Sequence, residues 1–111
     1  ARVDLSRPVE IQFINQTELT LDYSLTTDES LRQEILPGQT AAVKDFPIPA
    51  YFTVYPAKAN TANAQSPSAN LKYEVAVTPD NVVTVKIRQI SDDLPGNTTF
   101  NLHETGAIYI Y

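Results

Sequence analysis

The sequence predicts an all-β protein, a sandwich of two antiparallel sheets with about seven or eight short strands. Three observations carry this prediction: apolar and polar residues alternate with period two, turn-type residues separate the alternating segments, and no segment keeps an extended helical period. The 111 residues have the size of one domain, residues 1–111, and suffice to bury a core. The expected layout is immunoglobulin-like only in a coarse sense, because the sequence lacks the Cys and Trp that mark immunoglobulin domains.

The first half of the chain predicts a hairpin and two further strands. Residues 9–13 and 19–25 alternate apolar with polar side chains, and the turn-type residues 15–18 join them. We therefore expect these two strands to pair. Residues 26–36 are ambiguous, since Thr27 could cap one or two helical turns that Pro37 ends. A weak strand follows at 40–45, and an aromatic, β-branched strand at 51–55.

The second half predicts a long loop and two hairpins. Residues 56–70 contain no large apolar side chain, which indicates a long and mobile surface loop. Residues 71–78 and 83–88 show the most regular alternation of the chain, on either side of a tight turn at 79–81. A last pair of strands, 98–102 and 107–111, is joined by a turn at 103–106.

The phase of the alternation predicts which side chains fill the core. The predicted core residues are large and fall on the apolar face of their strands: Phe13, Leu21, Tyr23, Val54, Tyr73, Val75, Val85, Ile87 and Phe100.

Charge and composition argue against two classes of partner. The net charge is −5. The closest thing to a basic patch consists of Lys72, Lys86 and Arg88, and the acidic Glu74 lies among these residues. Nucleic-acid binding depends on a clustered basic face, so we expect no nucleic-acid partner. No apolar run has the roughly 18 residues that a membrane-spanning helix needs, so we expect no membrane insertion.

The absence of Cys and Met bears on the compartment. Without Cys there is no disulfide, thiolate ligand or thiol nucleophile, which argues against a small secreted eukaryotic module. Because the sequence holds no Met, Ala1 is not a translation start. It marks either an artificial boundary or the site at which a signal peptide was removed. We expect an exported bacterial protein, periplasmic or extracellular.

Few residues offer chemistry. The sole histidine, His103, lies in a predicted turn next to Glu104, and no nucleophile motif accompanies it. Asp92, Asp93 and Asn97 crowd one loop and form a weak calcium candidate, although their spacing matches no EF-hand. We therefore predict no enzyme activity, no metal and no cofactor.

Tyrosines are the stronger functional candidates. If Phe52 and Val54 face the core, Tyr51 and Tyr55 point outward, and the same parity turns Tyr109 and Tyr111 outward at the end of the chain. Exposed tyrosines are enriched at contact surfaces. They predict a binding, adhesion or assembly module for a protein or surface ligand. The alternatives are a small hydrolase or enzyme accessory subunit that uses His103, and a structural domain of a larger cell-surface protein.

The strand at 107–111 carries no charge, proline or bulge to protect an edge. It is either an interior strand paired on both sides or an edge that meets another chain, in which case self-association through 107–111 follows.

Overall fold

The computed structural model describes residues 2–25, 28–57, 70–91 and 94–111, and of residues 28–32 it describes the backbone only. These residues form nine strands and no helix. In chain order the strands are β1 (Glu10–Asn15), β2 (Leu21–Leu25), β3 (Asp28–Ile35), β4 (Thr40–Val43), β5 (Ala50–Pro56), β6 (Asn70–Val77), β7 (Val82–Ile90), β8 (Thr99–Leu102) and β9 (Ile108–Ile110). No helix in the described ranges is long and apolar enough to cross a membrane.

The strands form the two sheets of the predicted sandwich. One sheet has four strands in the order β4-β1-β7-β6, and the other has five in the order β3-β2-β5-β8-β9. Neighbouring strands are antiparallel except β1 and β7, which run parallel. The prediction of an all-β sandwich is confirmed, with nine strands in place of the seven or eight expected.

The predicted hairpin between residues 9–13 and 19–25 is wrong, because β1 and β2 lie in different sheets. The fully buried Asn15 holds the crossing in place. Its Nδ2 donates to the carbonyl oxygens of Leu19 and Ile35, at 2.8 and 2.9 Å, and its Oδ1 accepts from the backbone N–H of Thr17 at 2.9 Å. A buried amide whose groups are all engaged fixes the path of the link more firmly than a local turn does.

The helical alternative for residues 26–36 is also wrong, since Asp28–Ile35 is strand β3. It pairs with β2, with Ile35 opposite Leu21 and Gln33 opposite Tyr23. Only two apolar residues of this segment show helical spacing, so its local preference for a helix is weak. Pairing with the buried strand β2 outweighs that preference.

The two hairpins of the second half are confirmed as β6–β7 and β8–β9. The long loop predicted at 56–70 begins after β5 ends at Pro56, and β6 begins at Asn70. Most of it, residues 58–69, lies outside the described residues. The prediction that this loop is mobile concerns these same residues and stays a prediction.

The predicted core is confirmed for eight of the nine side chains, which are buried. The exception, Val75, is only half-buried: it lies in the last part of the edge strand β6, where Val77 is half-buried as well, although both pack against the core. Phe13 occupies the centre of the core, with the rings of Tyr23, Phe52 and Phe100 at 5.2, 5.4 and 6.0 Å from its own. Such tilted and edge-on pairs add stability beyond the buried area.

Candidate binding face

The four candidate tyrosines lie on the outer side of the five-stranded sheet. On β5, Tyr51 and Tyr55 alternate with Phe52 and Val54, which are buried in the core. On β9, Tyr109 alternates with Ile108 and Ile110, which pack against the core. Because successive side chains of a strand point to opposite sides, the tyrosines turn away from the core.

Strand register brings three of these tyrosines close together. Tyr51 pairs with Asn101 of β8, which pairs in turn with Tyr109 of β9. Thr53 pairs with Thr99 in the next row, and Thr99 exchanges two backbone hydrogen bonds of 3.0 Å with Tyr111. Adjacent strands are about 5 Å apart, so Tyr51 and Tyr109 stand roughly 10 Å apart across one row. Tyr55 lies farther along β5, opposite Asp22 of β2.

We call the outward residues of β5 and β8 with the C-terminal tyrosines the tyrosine face: Tyr51, Thr53, Tyr55, Thr99, Asn101, Tyr109 and Tyr111. None of these side chains is charged. Tyr109 and Tyr111 are 49% and 61% exposed, whereas Tyr51 and Tyr55 are half-buried. An uncharged surface of aromatic rings, hydroxyls and one amide, held on rigid strands, has the composition of a contact surface.

Asn101, in the middle of the tyrosine face, has an unsatisfied acceptor. Its Oδ1 is sealed from solvent and is the one such side-chain atom without a hydrogen bond in the described part of the chain. A sealed acceptor without a partner costs about 1–3 kcal/mol. Asparagine is therefore not the residue that stability alone would select between Tyr51 and Tyr109.

His103 follows β8 and lies beside the tyrosine face. Its Nδ1 is 3.1 Å from Thr105 Oγ1, and its ring meets the Tyr109 ring edge to face at 6.1 Å. No carboxylate forms an ion pair or hydrogen bond with the imidazole among the described residues. The sequence did not predict this contact with Tyr109, because its pattern placed His103 in a turn. The parity of β8 could have found it, since 99, 101 and 103 share one side of the strand.

Strand β9 is an edge of the five-stranded sheet and pairs only with β8 in the described residues. Because Thr99 and Tyr111 exchange hydrogen bonds, the backbone groups of Ile110 point the other way, toward the free edge. The start of the segment is covered, because the N–H of Val3 donates to Gly106 O at 2.9 Å and Arg2 bridges Ala107. Of the two alternatives for 107–111, the edge therefore applies at Ile110 within the described residues, and pairing on both sides holds only at the first residues of the segment.

Gly106 allows the N-terminal residues Arg2 and Val3 to pair with the start of this segment. It has a φ of +88°, and a Cβ at this position would lie 2.6 Å from the carbonyl oxygen of Val3. Only glycine combines such a backbone with so close a neighbour.

The calcium candidate is not assembled in the described residues. Asp92 and Asp93 lie outside them, and Asn97 has a structural role, since its Oδ1 accepts from the N–H of Tyr73 at 3.0 Å. No group of three or more His, Asp or Glu in the described ranges is placed to hold a metal.

The basic residues of β6 and β7 lie on the outer side of the other sheet. Lys72 pairs with Arg88 and Glu74 pairs with Lys86, while Glu74 also forms an ion pair with Arg88 at 2.9 Å. The absence of a nucleic-acid partner stays a prediction.

No known protein family, curated protein or solved structure matches this chain, and its function is therefore inferred from its own residues.

Proposed function

We propose that this chain is a non-catalytic binding module, exported to the bacterial periplasm or cell surface, that joins another protein chain through the tyrosine face and the β9 edge. The observation that carries the proposal is the pair Tyr109 and Tyr111. They are the most exposed aromatic residues in the described part of the chain, and they flank an edge strand residue, Ile110.

The energetics favour contact with a protein. A free edge offers backbone hydrogen bonds to an added strand, and tyrosine rings on the same strand supply area that is buried at little entropic cost. The tyrosine face carries no charge that would have to be desolvated. Export is supported by the absence of Cys, which suits a bacterial envelope better than a disulfide-stapled secreted module.

A second copy of the chain is the first partner to test, by light scattering over a concentration series. The wild type should associate, and Tyr109→Lys should remain a monomer, because the substitution places a charge on the edge. Thr40→Lys is the matched control, an exposed position on β4, the edge of the other sheet. It should associate like the wild type.

Two results would contradict the proposal. A wild type that stays monomeric at the highest concentration would exclude self-assembly through β9. A hydrolytic activity toward ester, glycoside or peptide substrates that is lost in His103→Ala would favour the enzyme alternative.

A further inference from the structure

A separate cavity lies between the two sheets, at the end where β4 passes into β5. It has a volume of about 240 Å³. It is lined by two residues of β2, one residue each of β3, β4 and β5, and the β4–β5 connection: Tyr23, Leu25, Gln33, Val43, Phe52 and residues 44–47. An apolar cavity of about 150 Å³ is enough to bind benzene. This cavity therefore has room for one substituted aromatic ring.

The walls are apolar and aromatic. Leu25 and Phe52 are buried core residues, and Val43 and Phe46 pack against the core. Phe46 meets Phe52 edge to face, with ring centroids 5.8 Å apart. A ligand ring that packs against the cavity side of this pair would make the offset or edge contacts that aromatic rings prefer.

Of the three buried side chains that line the cavity, Tyr23, Leu25 and Phe52, only Tyr23 carries a polar group. Tyr23 is 8% exposed, yet its hydroxyl makes no hydrogen bond among the described residues, whereas the Tyr73 hydroxyl donates to Val54 O at 3.2 Å. The hydroxyl is not sealed in the core, since Asn101 Oδ1 is the one sealed unpartnered side-chain atom in those ranges. Tyr23 lines the cavity, and its hydroxyl is thus a donor that a ligand there could engage. Burial raises the pKa of Tyr23, so the hydroxyl stays a donor at neutral pH.

The rim of the cavity favours a neutral ligand. Lys44 forms an ion pair with Glu10 at 3.1 Å, whereas the carboxylate of the next residue, Asp45, lines the opening and forms no ion pair with the side chains that the structure describes. Asp45 is held in the left-handed backbone region, with a φ of 56°. A carboxylate at the rim repels an anion and accepts hydrogen bonds from a neutral donor.

We propose that this cavity binds one small neutral aromatic molecule with an oxygen acceptor, of the aromatic amide class. Its ring packs against Phe46 and Phe52, and its oxygen accepts from the Tyr23 hydroxyl. The amide N–H groups face Asp45.

The test uses benzamide, toluene and benzoate as probes of ¹⁵N-labelled protein, followed by amide chemical shifts. Benzamide should shift the amides of residues 23–25 and 43–46 saturably, with a Kd on the order of 0.1–1 mM for a ligand of this size. Benzoate should bind at least about fivefold more weakly because of Asp45. Tyr23→Phe should weaken benzamide about fivefold and leave toluene unchanged, since only the hydrogen bond is lost.

Tyr73→Phe is the matched control, because its hydroxyl bonds to Val54 O. It should bind benzamide like the wild type. Equal benzamide binding by Tyr23→Phe, or no saturable shift around the cavity in the wild type, would overturn the proposal. If Tyr23→Phe did not fold, the order of the three probes on the wild type would decide, and benzoate binding as tightly as benzamide would refute it.

Discussion

Replacing Asn15 with alanine tests how the chain is held as it crosses from one sheet to the other. The substitution removes the partners of the buried Ile35 carbonyl and the buried Thr17 N–H. Each unsatisfied group costs about 1–3 kcal/mol, and the small cavity adds to that. The free energy of unfolding should fall by about 3–5 kcal/mol, a large share of the roughly 5–15 kcal/mol that stabilises a domain.

The assay is urea unfolding followed by far-ultraviolet circular dichroism, in which this loss should lower the midpoint by about 2 M. Gln16→Ala is the control, because the neighbouring side chain is exposed and should change the free energy of unfolding by less than about 0.5 kcal/mol. Asn15→Asp should lower the free energy of unfolding at least as much as Asn15→Ala, since it loses the donors to Leu19 and Ile35 and places a buried carboxylate next to their carbonyl oxygens. An Asn15→Ala midpoint within experimental error of Gln16→Ala would refute this account of the crossing.

Three further substitutions test individual contacts. Asn101→Thr should raise the free energy of unfolding by about 1 kcal/mol in thermal melting, because it removes a sealed acceptor and adds a β-branched residue to a strand; a lower melting temperature would contradict this. Tyr73→Phe should lower the free energy by about 1 kcal/mol through the lost bond to Val54 O, and an unchanged melting temperature would show that the bond contributes nothing. Gln12→Ala should raise the pKa of Glu10 in an NMR titration, because the hydrogen bond from Gln12, followed by Lys44, holds that pKa below its usual value. Because its pKa is lowered in the folded state, Glu10 stabilises the fold at a pH above its unfolded-state pKa, and this contribution is lost as the pH falls through the folded-state pKa. The variant should therefore lose the contribution at a higher pH than the wild type. An unchanged Glu10 pKa would refute the assignment.

The sequence predicted the elements whose partners are next to each other in the chain. The β6–β7 hairpin was predictable because both strands alternate in phase across a three-residue turn. The placement of β1 and β2 in different sheets was not, since Asn15 reaches Ile35, twenty residues along the chain, and no local pattern records that contact. Strand β3 is an exception, because its partner β2 directly precedes it in the chain; it was missed because its own alternation is weak, and its pairing with β2 outweighs that weak local preference.

The candidate site was predictable in part. Strand parity turns Tyr51 and Tyr109 outward, and this could be read from the alternation alone. Their alignment in one row depends on Asn101 of β8 lying between them, which is a property of the sheet order. The cavity below Tyr23 depends on how the β4–β5 connection packs against the core, and the sequence gives no sign of it.

Amide exchange at Ile110 tests the central claim, that another protein chain binds at the β9 edge. The N–H of Ile110 points to the free edge, whereas those of Tyr109 and Tyr111 point to β8. In dilute monomer, Ile110 should exchange much faster than Tyr109 and Tyr111, and in the associated sample it should become protected to a similar degree. Protection of Ile110 in the dilute monomer, or unchanged fast exchange after association, would contradict strand addition at β9.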